Sequence, residues 1–278
     1  MNININPNSE LHQSIVNVPD MVQVPEMWVD QARQFQQAMM RYTCAIREVK
    51  TKLEVLNDEL SVKNQRNPIE MIKSRVKKPK SIVEKLQRRG FEISLESMEK
   101  NLDDVAGIRI ICSFLDDIYE VADMLIRQDD VKVIAVKDYI QNPKPNGYRS
   151  YHMIIEIPVF FSDSKKPIRV EVQIRTIAMD FWASLEHKIA YKFEGNAPEN
   201  LLKELKACAD MVDMLDAKMF SLNQAIMEIG RTRREEAEKK LEEERLQEEA
   251  RQQAQRAREI VEGQKAGQGT EPENGGKA

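Results

Sequence analysis

Residues 168–175 read Ile-Arg-Val-Glu-Val-Gln-Ile-Arg, so apolar and polar side chains alternate without exception. A period of two residues is that of a β-strand, whose successive side chains point to opposite faces of a sheet. One face of this strand carries four β-branched residues, and the other presents Arg169, Glu171, Gln173 and Arg175. The apolar face is expected to pack on helices. The polar face is either a solvated surface or a binding site, and the presence of Glu and Gln among arginines favours a site.

Other segments complete the expected sheet and its helices. Runs rich in β-branched residues predict further strands at 107–114, 131–140 and 151–158, and a helix is expected over 116–127. Gly90 is expected to end a short basic helix that begins at Ser81. Strands and helices mixed in this order predict an α+β fold, built on a mixed β-sheet flanked by helices.

Long helices are expected at both ends of this core. Apolar residues recur at helical spacing from Pro25 to about Asn64, and Asn67-Pro68 ends that pattern. Thr176 is a candidate N-cap for helix running almost to Glu262, with a new helix starting at Pro198. The predicted organisation is a flexible leader (1–24), an N-terminal helical segment (25–66), a core (67–195), a C-terminal helix suited to an oligomer contact (196–230), a charged helical extension (231–262) and a disordered tail (263–278).

Composition narrows the class of protein. The formal net charge of -4 argues against a protein that coats nucleic acid with its whole surface. Cys44, Cys112 and Cys208 are far apart, which argues against a disulfide framework or a structural zinc site. No apolar run approaches the roughly 20 residues that span a bilayer, and the first residues lack the pattern of a signal peptide. We therefore expect a soluble cytoplasmic protein with no membrane contact.

Two acidic positions suggest a metal site. Asp103 and Asp104 precede the strand that begins near Gly107. If Asp104 meets Glu171 across the sheet, the two carboxylates could hold Mg²⁺ against a triphosphate; the simpler alternative is that Asp103 or Asp104 caps a turn. Arg109 lies in an otherwise apolar strand, where a guanidinium is costly to bury unless it is paired or binds a ligand.

Basic residues are concentrated in one segment of this acidic chain. Residues 73–90 hold eight Lys or Arg against one Glu. Ser81, Lys85 and Arg88 share one helix face, an arrangement that can bracket a triphosphate. Nucleic-acid contact and a merely solvated helix are the alternatives.

A second basic segment, residues 146–152, is a loop with aromatic residues that leads into a strand. Tyr148 could stack on a base, with Arg149 and His152 near phosphates. A structural role for His152 is the alternative.

Four blocks taken together resemble the synthetase domain of the RelA/SpoT family, and specifically its single-domain small alarmone synthetases. The blocks are SRVKKPKSIVEKL, DDVAGIRI, NPKPNGYRSYH and VEVQIRTIAMDFWASLEHKIAYK, which fall in this order within residues 73–193. The resemblance implies a nucleotidyltransferase-like mixed sheet that binds ATP beside GTP or GDP. It also implies transfer of the β,γ-pyrophosphate of ATP to the acceptor 3′-hydroxyl, giving ppGpp or pppGpp and AMP, with Mg²⁺ as cofactor.

The resemblance also implies roles for individual residues. Arg75 and Arg109 match the arginines that sandwich adenine, and Lys77, Ser81, Lys85 and Arg88 match contacts to the ATP phosphates. Asp104 matches a metal-binding aspartate, and Glu171 matches a glutamate that helps bind metal and activates the 3′-hydroxyl. On the acceptor side, Tyr148 matches the tyrosine that stacks on guanine, Lys144 and His152 match phosphate contacts, and Asp180 matches the position that reads the guanine edge. We place Gln173 with the acceptor group as well.

Alternatives remain open at this point. A related transferase could act on adenine nucleotides or tRNA, and a non-catalytic RNA-binding or scaffold protein could use the basic segment. Asp180 suits guanine, because a carboxylate accepts from both N1–H and the 2-amino group. None of His12, His152 and His187 is followed by Asp, so we expect synthesis without the hydrolase activity of the two-domain relatives. The resemblance further implies a homotetramer packed through the terminal helices, and RNA contact stays possible.

Overall fold

A computed structural model describes residues 26–64, 67–193 and 197–267. In chain order its elements are α1 (Glu26–Asn64), β1 (Ile69–Val76), α2 (Pro79–Arg88), α3 (Leu95–Asn101), β2 (Ala106–Cys112), α4 (Leu115–Ile126), β3 (Lys132–Asp138), β4 (Tyr151–Phe160), β5 (Lys165–Thr176), α5 (Ile177–Lys192) and α6 (Glu199–Gly267). The described residues up to Ala217 form one compact unit, and those from Lys218 form a second. No helix in the described part of the chain is both long and apolar enough to cross a membrane.

The strands of the first unit form a mixed sheet in the order β1-β2-β5-β4-β3. β2 and β5 pair in parallel at its centre, and the other three pairings are antiparallel. The polar face of β5 therefore lies between β2 on one side and β4 on the other. This placement puts the alternating residues predicted from the sequence at the middle of the sheet.

The apolar face of the sheet is the core of the unit. Val170, Val172 and Ile174 of β5 have no exposed surface, and neither do Ile155 and Ile157 of β4. α1 packs along this face, with Val49 and Leu53 fully buried against it. Burying such side chains supplies most of the free energy that holds the sheet and helix together.

The predicted α+β fold with a mixed sheet and long terminal helices is confirmed. The predicted strands and the helix over 116–127 are present as β2 to β5 and α4, with ends shifted by a few residues. Two elements were missed, β1 and the short helix α3. β1 is an edge strand that exposes Lys73 and Arg75, so its local pattern is weak and its pairing with β2 fixes it.

The start of α5 is capped as the sequence predicts. The Thr176 hydroxyl accepts a hydrogen bond from the backbone N–H of Met179, 3.1 Å away, and donates to Asp216 Oδ2 of α6 at 2.7 Å. α6 begins at Glu199, directly after Pro198. It runs through the predicted extension to Gly267. The rest of the predicted tail, 268–278, and the predicted leader, 1–24, lie outside the described residues.

Candidate active site

Polar side chains form two rows across the face of the sheet opposite α1. In the first row, strand pairing aligns Lys73, Arg109, Gln173, His152 and Lys137, one residue from each strand. The second row joins Arg75 of β1, Gly107 of β2 and Glu171 of β5. A Cβ added at Gly107 would lie 3.7 Å from Cγ of Arg75, so the Arg75 side chain lies over this glycine. The polar face of β5 is thus part of a continuous polar surface five strands wide.

Two cavities of about 230 Å³ each open on this surface, and Glu171 lines both. Lys73, Arg75, Gly107, Arg109 and Gln173 are among the residues around the first cavity. The second is bounded by Lys85, Arg89, Asp103, Asp104, Lys137, Tyr139, Lys144 and His152, among others. Glu171 therefore stands between two concave sites, one beside each neighbouring strand.

Asp104 sits at the centre of a cationic corner of the second cavity. Its Oδ2 accepts hydrogen bonds from Lys77 at 3.0 Å and from Lys85 at 2.6 Å. Burial alone would raise the pKa of Asp104, but the hydrogen bonds from these two lysines outweigh it and lower the pKa below its ordinary value. The other oxygen, Oδ1, is buried without a hydrogen-bond partner. A buried carboxylate oxygen with free lone pairs is a fitting ligand for a hard cation.

Glu171 has the opposite electrostatic environment. Burial raises its pKa, and the negative charge of Asp104 raises it further, against a hydrogen bond from the Gln173 amide at 3.0 Å. Two nearby carboxylates whose surroundings push their pKa values apart are typical of an acid–base site. Glu171 is therefore the group here best suited to accept a proton, and Asp104 is the group that stays ionised.

His152 and Tyr148 form a hydrogen-bonded pair above β4. Tyr148 Oη lies 2.8 Å from His152 Nε2 and accepts a hydrogen bond from Arg175 Nη2 at 2.5 Å. Arginine can only donate, so the Tyr148 oxygen accepts from Arg175, and the hydroxyl hydrogen is free to donate to His152 Nε2. In that arrangement the ring hydrogen of a neutral His152 is on Nδ1, which faces Glu171 Oε1 at 3.8 Å.

His152 is neutral at physiological pH. Burial, reinforced by Arg175 and Lys144, lowers its pKa to about 3. The approach of its ring to Glu171 is therefore not an ion pair, although the distance would allow one. Lys144 Nζ lies 4.8 Å from the ring centre of Tyr139 and 4.7 Å from that of Tyr148, so the predicted phosphate-binding lysine rests on two aromatic rings.

Asp180 of α5 binds cationic side chains from β1, β2 and β5. Its Oδ1 accepts from Arg109 at 3.2 Å and from Arg175 at 3.1 Å, and its Oδ2 accepts from Lys73 at 3.3 Å. The predicted guanine-reading carboxylate is thus held by three cationic side chains. One of them, Arg109, is a predicted adenine contact.

The remaining predicted residues fall in three places. Arg75 and Arg109, the predicted adenine contacts, both line the first cavity. Ser81 and Arg88 lie on α2 with Lys85, and in the described part of the chain they are outside the lining of both cavities. Arg149 was expected near phosphates, and this was wrong: it points to α6, where its Nε lies 3.0 Å from Asp213 Oδ1.

Five residues of the site were missed by the sequence-based assignment: Lys73, Arg89, Lys137, Tyr139 and Arg175. Arg175 had a signal, because it continues the alternation of Glu171 and Gln173, and its side chain is only 4% exposed. The others come from edge strands, a helix end and a loop. Strand register brings Lys73 and Lys137 into the first row, and packing around the second cavity brings Arg89 and Tyr139 to it.

Comparisons with known proteins agree with this geometry. Residues 74–196 match the family model described as the region found in RelA / SpoT proteins. The chain is 44% identical over 213 residues to GTP pyrophosphokinase YwaC of Bacillus subtilis, covering 77% of this chain and 98% of that protein.

Solved structures show the same likeness. The crystal structure of small alarmone synthetase 2 from Bacillus subtilis is 46% identical with a TM-score of 0.63, over 69% of this chain and 98% of that one. Small alarmone synthetase 1 from Bacillus subtilis, solved with its product pppGpp, gives 36% identity and a TM-score of 0.65, over 70% and 98%. The chain has a mixed sheet and two cavities around Glu171, and it shares identity at this level over nearly the whole length of the relatives named above. It therefore belongs to the RelA/SpoT family.

Proposed function

We propose that the chain transfers the β,γ-pyrophosphate of ATP to the 3′-hydroxyl of GTP or GDP, giving pppGpp or ppGpp and AMP. Its enzyme class is that of its relatives, GTP pyrophosphokinase. The observation that carries the proposal is the position of Glu171 between two cavities. A transfer between two nucleotides needs two binding sites that meet at one reacting group.

The ATP side of the site is assigned to β1, α2 and β2. Arg75 and Arg109 enclose the adenine in the first cavity. Lys77 and Lys85, which converge on Asp104, hold the phosphates together with Ser81 and Arg88. Cations gathered around a triphosphate neutralise the charge that moves during transfer.

The acceptor side is assigned to the part of the second cavity lined by Lys144 and His152, and to the loop above it. The part lined by Lys85 and Asp104 belongs to the ATP phosphates. Tyr148 stacks on guanine, and Lys144 and His152 contact the acceptor phosphates. Gln173 and Asp180 read or support the base. A neutral His152 donates to phosphate oxygen through a ring N–H, which needs no proton from solvent.

The reaction is an in-line displacement at phosphorus. The ribose 3′-oxygen forms a bond to the β-phosphorus of ATP, the bond from that phosphorus to the α,β-bridging oxygen breaks, and AMP leaves. Glu171 accepts the hydroxyl proton, for which its raised pKa makes it a stronger base than an ordinary carboxylate. Alignment of the two nucleotides on one rigid sheet supplies much of the remaining rate.

Mg²⁺ is the proposed cofactor, held by Asp104 and Glu171. The described residues contain no group of three or more His, Cys, Asp or Glu side chains that could hold a metal ion. Two carboxylates with the phosphates of a nucleotide are nevertheless a common magnesium site, and the unpartnered Asp104 Oδ1 fits that role. A bound Mg²⁺ would offset charge on the phosphates and polarise the attacking hydroxyl.

A homo-oligomer, a tetramer by family resemblance, is also proposed. On the part of α6 within the first unit, Met211, Met214 and Leu215 are each more than half exposed. Apolar side chains grouped on one helix are typical of a contact with another copy. Light scattering coupled to size-exclusion chromatography measures the assembly directly.

Incubation with labelled ATP, Mg²⁺ and one of GDP, GTP, ATP or tRNA tests the proposed reaction. We expect the wild-type chain to give ppGpp or pppGpp together with AMP. We expect Glu171→Gln to give none of these products. Glu156→Gln is the matched control, because Glu156 lies on the same sheet face but pairs with Lys132. Transfer only to ATP or tRNA would disprove the guanosine acceptor, and no transfer to any acceptor would favour an RNA-binding or scaffold protein. The same incubation with ppGpp tests the expected lack of hydrolysis.

A further inference from the structure

The loop that carries Tyr148, residues 143–150 (the acceptor loop), has little regular structure of its own. Within it, Gly147 N donates to Lys144 O at 2.8 Å, and Lys144 N donates to Tyr148 O at 3.2 Å. Such short-range bonds shape a turn but do not fix its place on the protein. The ends of the loop are bound by other elements: Asn146 donates to Glu186 of α5, and Ser150 donates to Ile174 O of β5. The contacts around Tyr148 come largely from α6.

Gly147 makes the closest of these contacts. Its φ is +87°, and a Cβ added there would lie 2.5 Å from the Cβ of Ala209 and 3.0 Å from Cδ of Lys206. Only glycine permits both this backbone conformation and this approach. The loop backbone is therefore pressed directly against one turn of α6.

Arg149 anchors the other side of the loop to the same turn. Its Nη1 donates to the backbone carbonyl of Ala209 at 3.3 Å, and its Nε pairs with Asp213 at 3.0 Å. Asp210 lies farther from it, at 3.9 Å. The Arg149 side chain is 12% exposed and that of Asp213 is 47% exposed, so the pair is shielded from water on the arginine side only.

Tyr148, between these two residues, packs where α5 and α6 meet. Its ring contacts the small cluster formed by Trp182, Ala183 and Ala209. The indole N–H of Trp182 in turn donates to Leu205 O of α6 at 2.9 Å. The ring that is assigned to guanine therefore takes its position from α6 as well as from Arg175.

We propose that residues 205–213 of α6 position the acceptor loop, and that Arg149 acts as a positioning residue for Tyr148. This inference rests on the proposed function. The ATP half of the site is instead carried by β1, α2 and β2, where Lys77 and Lys85 pair with Asp104. Loosening the loop from α6 should therefore weaken acceptor binding and leave ATP binding intact.

Steady-state kinetics on three sets of variants tests this split. Arg149→Met and Asp213→Asn should each raise KM for GDP by about tenfold, the effect of losing one charged hydrogen bond, with KM for ATP and kcat within about twofold. Gly147→Ala should raise KM for GDP more, and Ala209→Gly in the same chain should recover part of the loss by removing the Cβ contact. Glu199→Gln is the control, since Glu199 lies on α6 and, among the residues that the structure describes, pairs along the helix with Lys203.

Equilibrium binding of GDP, and separately of a non-hydrolysable ATP analogue, gives a second readout. An unchanged KM and Kd for GDP in Arg149→Met and Asp213→Asn would overturn the inference. An equal loss of GDP and ATP binding would overturn it too, because that result indicates general destabilisation. A wild-type chain that binds GDP without transfer would disprove the proposed function alone, and the Kd values would then decide the inference. A wild-type chain that binds no GDP would overturn both.

Discussion

Two carboxylates with opposite environments define the site at the level of single residues. Asp104 is held ionised by Lys77 and Lys85, whereas Glu171 is partly buried and faces the charge of Asp104. Asp104 therefore contributes a permanent negative charge, and Glu171 contributes a carboxylate that binds a proton more readily than usual. Ionising Glu171 in the folded chain costs free energy, and stabilising contacts elsewhere in the fold offset that cost, as is common at functional sites.

Glu171→Gln should therefore increase stability while it removes activity. We expect kcat to fall by about 10²- to 10⁴-fold, the usual contribution of a general base, or below detection. Because burial raises the pKa of Glu171, folding favours its protonated form, and wild-type stability falls as pH rises from 4.5 through the raised pKa. Thermal unfolding should show a higher Tm for the variant at pH 7 and a smaller difference near pH 4.5. A lower Tm at pH 7 would contradict this assignment.

His152 gives a stability change of the opposite sign. Its pKa is about 3 in the folded chain and 6.5 ordinarily, so between these values the unfolded chain binds a proton that the folded chain does not. Wild-type stability should then fall as pH drops below 6.5, by up to about 1.4 kcal/mol per pH unit. Urea unfolding should show a shallower dependence for His152→Gln from pH 6.5 to 4. Parallel profiles for the two proteins would mean that the ring is protonated in the folded state.

Sequence patterns could place residues in segments where polar and apolar side chains repeat with a fixed period. Alternation along 168–175 put Glu171 and Gln173 on one face, and the structure confirms that face as the centre of the polar surface. The direction of Arg149 could not be read in the same way. Whether a loop arginine meets phosphates or a distant helix depends on packing between residues 149 and 213, which are 64 positions apart.

At the level of elements, the hydroxyl of Thr176 joins the end of β5 to α5 and to α6. Thr176 caps α5 and donates to Asp216, whose pKa is raised by burial. Since β5 carries Glu171 and α5 carries Asp180, this junction sets the distance between the sheet and the residue assigned to guanine.

Thr176→Val keeps the shape of the side chain and removes both hydrogen bonds. We expect it to lower the free energy of unfolding by about 2–3 kcal/mol, from the lost cap and the unpaired buried carboxylate of Asp216. Thr176→Ser retains the hydroxyl and should cost less than about 1 kcal/mol. Chemical denaturation measures both, and a larger loss for Thr176→Ser than for Thr176→Val would indicate that the methyl group, not the hydroxyl, matters at this position.

The sheet itself was predictable except for its edge. Four strands have apolar runs that mark them, whereas the parallel pairing of β2 with β5 joins strands separated by α4, β3 and β4 and is known only from the fold. β1 was missed because it buries only Ile69 fully and otherwise alternates weakly. Its hydrogen bonds to β2 stabilise it from outside the segment, and these bonds join residues about 40 positions apart at one end of the pairing.

At the level of the whole molecule, the residues assigned to the reaction lie between Arg75 and Asp180, and α6 contacts them through residues 205–216. The second unit, from Lys218, has another character. Its described side chains form exposed pairs within the helix, such as Arg231 with Glu228 and Arg245 with Glu242 and Glu249. Pairs of this kind stabilise a helix by about 0.3–0.5 kcal/mol each and weaken in salt.

Removal of residues 231–278 should therefore leave the chemistry intact. We expect kcat and both KM values within about twofold of the full chain, since the change removes no group that binds substrate or positions one that does. The circular dichroism spectrum should lose helical signal on truncation. The helical signal that is lost should be the portion that added salt weakens in the full chain. Arg245→Gln in the full chain is the matched control: it removes two helix pairs and should lower helicity slightly with no effect on turnover. A large fall in turnover on truncation, with the Tm of the remaining chain unchanged, would show that the charged helix takes part in the reaction cycle.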